Sequence, residues 1–285
     1  MKQALLVFLA TALIGSNAFA QSLNVMTWNI RYDNPQDGVN GWPNRKDWVA
    51  EIILKSKADV AGFQEVLAGQ FDDLKLRLPE MKAYGVGRDD GKSAGEFCPI
   101  FYRHDRFDLL AQATFWLSPT PEETASKGWD AALPRIASWV KLKDRTTGVE
   151  LYVINTHFDH RGKQARTESA NLLLQRLRET FADHPVILLG DFNTTANSPP
   201  YNTLVGRGTQ GQEVFLDTYV HSARKPEGPD STWNGFKAIV PEHRIDFIFT
   251  TKAVKVLRLQ ILDDQREKRF PSDHLPVVTE LTMKE

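Results

Sequence analysis

The chain has 285 residues, 41% of them hydrophobic, with seven Trp, one Cys and a formal net charge of −1. This fits one large domain with a sizeable core and excludes a disulfide-stapled scaffold, because Cys98 has no partner for an intrachain bridge. Near-neutral charge argues against a surface built to grip many phosphates of a polynucleotide, while leaving room for a local basic cleft.

Residues 1–20 read as a secretory signal. Lys2 gives a positive start, Ala4 to Ile14 is an apolar run too short to span a membrane, and Ala18-Phe19-Ala20 fits a small-x-small cleavage pattern. The mature domain is then 21–285, exported to the periplasm or secreted, with no stable membrane insertion and expected to be a monomer. No linker, repeat or charge run divides it.

Leu23 to Trp28 alternates and predicts a strand. Asp33 to Asn44, rich in Asn, Asp, Gly and Pro, predicts a loop, and Pro43 suits the first turn of a helix with Trp48, Ile52 and Ile53 on its apolar face. A strand is expected at Asp59 to Phe63 and a short helix at Phe71 to Leu78. Strands follow at Pro99 to Tyr102, Leu109 to Trp116, Ile136 to Leu142 and Leu151 to Asn155. Gln164 to Phe181 has helical spacing, and Val186 to Leu189 is a short apolar strand. Two or more later strands lie within Asp246 to Thr251, Val254 to Leu262 and Leu275 to Leu281. Strands outnumber helices and many are consecutive, which points to mixed sheets with helices outside them.

Polar groups gather at the strand ends: Trp28-Asn29, Gln64-Glu65, Asn155-Thr156-His157, Gly190-Asp191-Phe192-Asn193, Arg244-Ile245-Asp246 and Ser272-Asp273-His274. Asp191 and Asn193, two apart in an extended stretch, share a side and can hold a water or phosphate oxygen. Glu65 offers the oxygen ligand that a hard divalent cation prefers. Asp246 and His274 suggest an acid that orients an imidazole and favours its charged form, which then donates to a phosphoryl oxygen. His157 stands to act likewise, with Glu96 as its partner. Each motif alone is weak, because Asx turns, solvated acids and structural histidines are common. Together, without a Ser or Cys elbow, they are the parts of metal-assisted phosphate ester hydrolysis.

As an ordered set these motifs resemble the endonuclease/exonuclease/phosphatase superfamily, over Asn24 to Val278. The stretches Asn29 to Pro35 and Asn155 to Arg166 resemble its secreted bacterial branch. The resemblance implies an α/β fold of the deoxyribonuclease-I-like kind, a four-layer sandwich with two packed mixed sheets flanked by helices. It also implies Mg²⁺, or Mn²⁺ or Ca²⁺ in its place. Carried over by position, Glu65 is the principal metal ligand, with Asn29 and Asp273 completing or flanking the site. Asp191 resembles the base for the attacking water, and Asn193 the amide that holds the phosphate or that water. His274, supported by Asp246, and His157, supported by Glu96, resemble the phosphate-side imidazoles. Arg31 stands where some DNA-repair members carry a metal-binding Asp, and is expected to hold substrate phosphate or pair with a carboxylate. Asp159, His160, Arg161 and Arg166 are expected to add substrate contacts, and Trp233 to line the pocket or join the core.

The expected function is an exported phosphodiesterase acting on a small, glycan-linked or lipid-linked phosphate ester. An extracellular nuclease is the alternative, and a catalytically inactive binding protein on the same scaffold is the alternative of another class. The loops 33–44 and 120–134, with Trp42 and Trp129, are long enough to wall off an open groove or else pack into the core.

Overall fold

A computed structural model describes residues 22–207 and 214–283, so the expected leader at 1–20 lies outside the described residues. The first half contains β1 (Leu23–Asn29), α1 (Lys46–Ser56), β2 (Val60–Gln64), α2 (Ala68–Arg77), β3 (Met81–Tyr84), β4 (Ile100–Arg103) and β5 (Phe107–Trp116). Next come β6 (Ile136–Asp144), β7 (Glu150–His157), α3 (Lys163–Thr180), β8 (Val186–Asp191) and α4 (Pro199–Leu204). The chain ends with β9 (Leu216–Asp217), α5 (Thr218–His221), β10 (Asp246–Thr250), β11 (Val254–Ile261) and β12 (Val277–Met283). The short elements β3, α4, β9 and α5 were not expected from the sequence, being too brief to show a period.

The strands form two six-stranded sheets, ordered β11-β12-β1-β2-β4-β3 and β5-β6-β7-β8-β10-β9. Each contains one parallel pair, β1 with β2 and β7 with β8. Parallel neighbours need a long crossover, which α1 and α3 provide. The other pairings are antiparallel, so both sheets are mixed.

Alternation along the strands builds the layers. Val25, Val60, Val153, Ile187, Leu189 and Ile248 point inward and pack sheet against sheet. Met26, Trp28, Ala61 and Phe63 point out to Trp48, Ile52 and Ile53 of α1 and Leu74 of α2. Ile154, Leu188, Phe247 and Phe249 meet Leu173, Leu174 and Leu177 of α3 and Tyr201 of α4. Helix, sheet, sheet and helix are therefore the four layers.

The sheets touch closely at Gly62, where a Cβ would lie 2.0 Å from Leu189 Cδ1. Beside it, Asn155 crosses between sheets, donating to the carbonyls of Phe63 and Pro99, both at 2.8 Å. Its Oδ1 accepts from Gln64 Nε2 at 2.6 Å. Removing that amide would delete three buried hydrogen bonds between the sheets, which is costly.

Candidate active site

Followed toward one end, the inward columns turn from apolar to polar with a strict period of two. Val25 and Thr27 lead to Asn29, Val60 and Gly62 to Gln64, Val153 and Asn155 to His157, Ile187 and Leu189 to Asp191, and Ile248 to Asp246. Register aligns the ends: Asn29 lies beside Gln64, and Asp191 beside both His157 and Asp246. The segment before β12 adds Asp273 and His274, fastened to β1 by Ser272 Oγ donating to Asn29 O at 2.7 Å and Trp28 Nε1 to His274 O at 3.0 Å. Just beyond the strands, Arg31, Glu65 and Asn193 adopt positive φ of 60°, 59° and 47°. Non-glycine residues rarely sit there, and three of them meet at this edge.

Asp191 is the centre. Its Oδ1 accepts the Asn193 N–H at 2.8 Å and its Oδ2 the Asn29 Nδ2 at 3.0 Å. His157 Nε2 and His274 Nε2 lie 3.5 and 3.7 Å from Oδ2. Burial and the nearby Asp246 push the Asp191 carboxyl up, against the opposing pull of His274. The two imidazoles are driven apart. Burial favours neutrality in His274, but Asp246, whose Oδ2 accepts from Nδ1 at 2.9 Å, and Asp191 outweigh it and raise the ring to about 10. His157 is pushed well below the usual range by burial and then by Arg135 and Arg88, so it is neutral. Its Nε2 accepts from Asn193 Nδ2 at 2.9 Å, which leaves the proton on Nδ1, 3.7 Å from Glu96 Oε2. Glu96 is gripped two-pronged by Arg88 at 2.7 and 2.9 Å.

Asn193 gives its second amide hydrogen to Phe158 O at 3.0 Å, so only its amide oxygen is left for water. That favours holding the water over holding the phosphate. Trp233 stands edge-on to the His274 ring, with centroids 4.8 Å apart, and so supports the imidazole directly.

The outer lip holds Glu65, Asp273 and Arg31. Glu65 accepts from Asn29 Nδ2 at 3.0 Å and Tyr32 N at 3.2 Å, while Asp273 Oδ1 lies a long 3.3 Å from Ser272 Oγ, whose hydrogen goes to Asn29 O. Lone pairs on both carboxylates are thus left for a hard divalent cation, and the pair fits one. Asn29 flanks the pair: its Oδ1 accepts the Arg31 N–H at 3.0 Å and its Nδ2 donates to Glu65 and Asp191, so the amide braces both acids. A further acidic group, Asp191, Asp246 and His274, brings its ligand atoms within 4.8 Å of one another. There Nδ1 of His274 is already committed to Asp246 at 2.9 Å, which leaves only its Nε2 to face an ion.

Several expected substrate contacts have other duties. Asp159 is buried and saturated by the backbone of Arg161 and Gly162 at 2.9 and 2.7 Å and by Arg135 at 3.3 Å. Those bonds overcome its burial and hold it strongly acidic. Arg166 is tied to Asp159 O at 2.8 Å. Arg161 and His160 are exposed at the rim, where His160 meets Arg135 at 2.9 Å. Trp42 packs in the core under α1, so it walls nothing off, whereas Trp129 is half-buried on its loop.

The sequence reading missed Arg45, fully buried, which donates to Ile30 O and Pro271 O, both at 2.8 Å, and so joins the two halves of the lip. It also missed Gln70, which fixes the Asp33 N–H and Arg31 O at 2.9 and 2.8 Å, and the Arg88–Arg135 pair. Spacing along the chain carries no sign of these long-range contacts.

The comparisons agree with this geometry. The chain resembles an endonuclease/exonuclease/phosphatase of Bacteroides vulgatus at 42% identity and TM-score 0.87, covering 93% of this chain and 100% of that one. A mannosyl-6-phosphatase of Bacteroides thetaiotaomicron is 39% identical with TM-score 0.84, covering 92% and 100%. Drosophila melanogaster Nocturnin is 24% identical over 282 residues, which is 85% of this chain and 42% of the relative. The chain spans about half the length of the curated relatives it matches. The Endonuclease/Exonuclease/phosphatase family model matches residues 26–274, from β1 to His274. With all six strand-end motifs converging inside that match, the chain belongs to the endonuclease/exonuclease/phosphatase family, whose members are metal-dependent phosphoric ester hydrolases.

Proposed function

We propose that this protein hydrolyses a small, carbohydrate-linked phosphate ester by activated-water attack, using Mg²⁺ or a similar ion, outside the cytoplasm. The observation that carries it is Asp191, a buried carboxylate flanked by a neutral imidazole and a cationic one. Asp191 takes one proton of the attacking water while the Asn193 amide oxygen accepts a hydrogen bond from the other. As the water oxygen bonds to phosphorus the ester P–O bond breaks, and the proton held by Asp191 passes to the departing alkoxide, which leaves as the alcohol. His274 donates Nε2–H to a phosphoryl oxygen, and Asp246 keeps that ring charged and aimed. His157, being neutral, holds Asn193 in place. A divalent ion bound by Glu65 and Asp273 would supply Lewis acidity toward the phosphoryl oxygens.

The substrate class rests on similarity to a mannosyl-6-phosphatase. That likeness moves the first choice from the expected phosphodiester to a sugar phosphomonoester. Arg31 at the lip supplies a second cation for a dianionic phosphate. A nuclease is the second reading, favoured by similarity to an exoribonuclease subunit from Mycosarcoma maydis at 22% identity. Turnover of mannose 6-phosphate, small phosphodiesters, single-stranded RNA and duplex DNA, each with Mg²⁺, Mn²⁺ and Ca²⁺, tests the reading. It requires kcat/KM to be highest for the sugar phosphate, and efficient, salt-sensitive cleavage of nucleic acid would reject it. Export rests on the Lys2, apolar-run and Ala18-Phe19-Ala20 pattern, and an uncleaved N-terminus on the cell-associated protein would contradict it.

A further inference from the structure

Arg31 is held more firmly than a rim arginine needs to be for occasional substrate contact. Its carbonyl accepts from Gln70 at 2.8 Å and Arg45 at 3.3 Å. Its guanidinium is bound two-pronged by Asp37 at 2.9 and 3.1 Å and lies over the Tyr32 ring at 4.5 Å. Asn34 holds Asp37 in turn at 2.9 Å. From this clamp the guanidinium reaches 3.8 Å from Glu65 Oε2 and 3.9 Å from Asp273 Oδ2. Both distances are too long for a hydrogen bond and short enough for strong charge interaction. The cation therefore sits between the two carboxylates and bonds to neither.

We propose that Arg31 takes, by its charge, the place of a second divalent ion, limiting the lip to one ion and weakening that ion's binding. This rests on the reading of Glu65 and Asp273 as the ion's ligands. Their lone pairs stay free for the first ion, because Arg31 is tied to Asp37. A second ion would have to approach a fixed positive charge, and the Asp37 carboxylate that could help hold it is already spent on Arg31. The guanidinium does not titrate away in any useful pH range. Burial opposes its charge, but the bond to Asp37 and the charges of Asp273 and Glu65 outweigh burial and raise its pKa.

Calorimetric titration of Mn²⁺ into chelator-stripped protein tests this, with bound ion counted by electron paramagnetic resonance. The wild-type chain should bind one Mn²⁺. Arg31→Gln should bind the first ion on the order of tenfold more tightly, from loss of one unit charge near 4 Å, and gain a second site through the freed Asp37. Arg31→Lys should stay near wild type, and Arg31→Gln with Asp37→Asn should lose the second site while keeping the tighter first one. Unchanged affinity and stoichiometry in Arg31→Gln, or weaker binding, would overturn the proposal, provided its melting curve shows a folded chain. Glu65→Gln separates the two levels: wild-type Mn²⁺ binding in that variant would reject the underlying ligand reading rather than the role of Arg31.

Discussion

The lip and the floor of the site are built from the same residue types and are physically opposite. On the lip, the side chains of Glu65 and Asp273 are 15% and 6% exposed and share a guanidinium. On the floor, Asp191 and Asp246 are 1% and 0% exposed and share imidazoles. Lip carboxylates with some access and spare lone pairs suit an exchangeable cation. Buried ones that are charge-coupled to imidazoles hold proton positions fixed. Four acids thus divide into two chemistries by environment alone.

Breaking the floor should have the largest effect. Asp191→Asn removes the acceptor for the water's proton, and kcat should fall roughly 10²–10⁴-fold with KM little changed. The same variant should be more stable than wild type at pH 8. The Asp191 pKa rises from 3.8 to about 7 on folding, so the folded chain binds that proton more tightly than the unfolded one. Stability is therefore lost as pH rises through that window, and Asn carries no such penalty. Thermal melts at pH 5 and pH 8 check this: the gain should grow with pH.

Breaking the lip should be milder and reversible. Glu65→Gln should cut activity roughly 10–100-fold at limiting Mg²⁺ and recover much of it at saturating Mg²⁺, read from kcat against metal concentration. A loss that saturating metal does not relieve would place Glu65 with the floor groups. The smallest effect should come from the seam beneath both. Asn155→Ala removes three buried hydrogen bonds, to the carbonyls of Phe63 and Pro99 and from the Gln64 amide, and should cost about 2–3 kcal/mol in denaturant unfolding. Activity should drop only modestly once the chain is folded.

Most lip and floor residues were legible because polar residues that close an apolar strand stand out, and Asp273 and His274 because they precede one. Mixed sheets with helices outside followed from the number and order of strands and the helical spacing of Gln164 to Phe181, and the four-layer sandwich from the family resemblance. Whether Asn29 completes or flanks the ion's site was left open by its motif position, which does not reveal which amide atom faces the acid. Asp159 was misread because saturation by backbone N–H groups depends on a loop's fold. Arg45 and Gln70 were invisible, since their partners lie on other elements or across the chain. Four short elements escaped for lack of a period, and β12 begins at Val277, later than expected, because Leu275 and Pro276 still belong to the segment that presents His274.

The opposite charge states of the two imidazoles are the most direct point of test. They can be read by ¹⁵N NMR of histidine-labelled, metal-free protein from pH 5 to pH 11. His274 should show two protonated ring nitrogens at pH 8 and lose one near pH 10, and the stability it contributes should be complete below its ordinary pKa of 6.5 and vanish as pH rises through about 10. His157 should remain a neutral ring protonated on Nδ1 across the range. A neutral His274 or a cationic His157 at pH 8 would contradict the division of labour at Asp191.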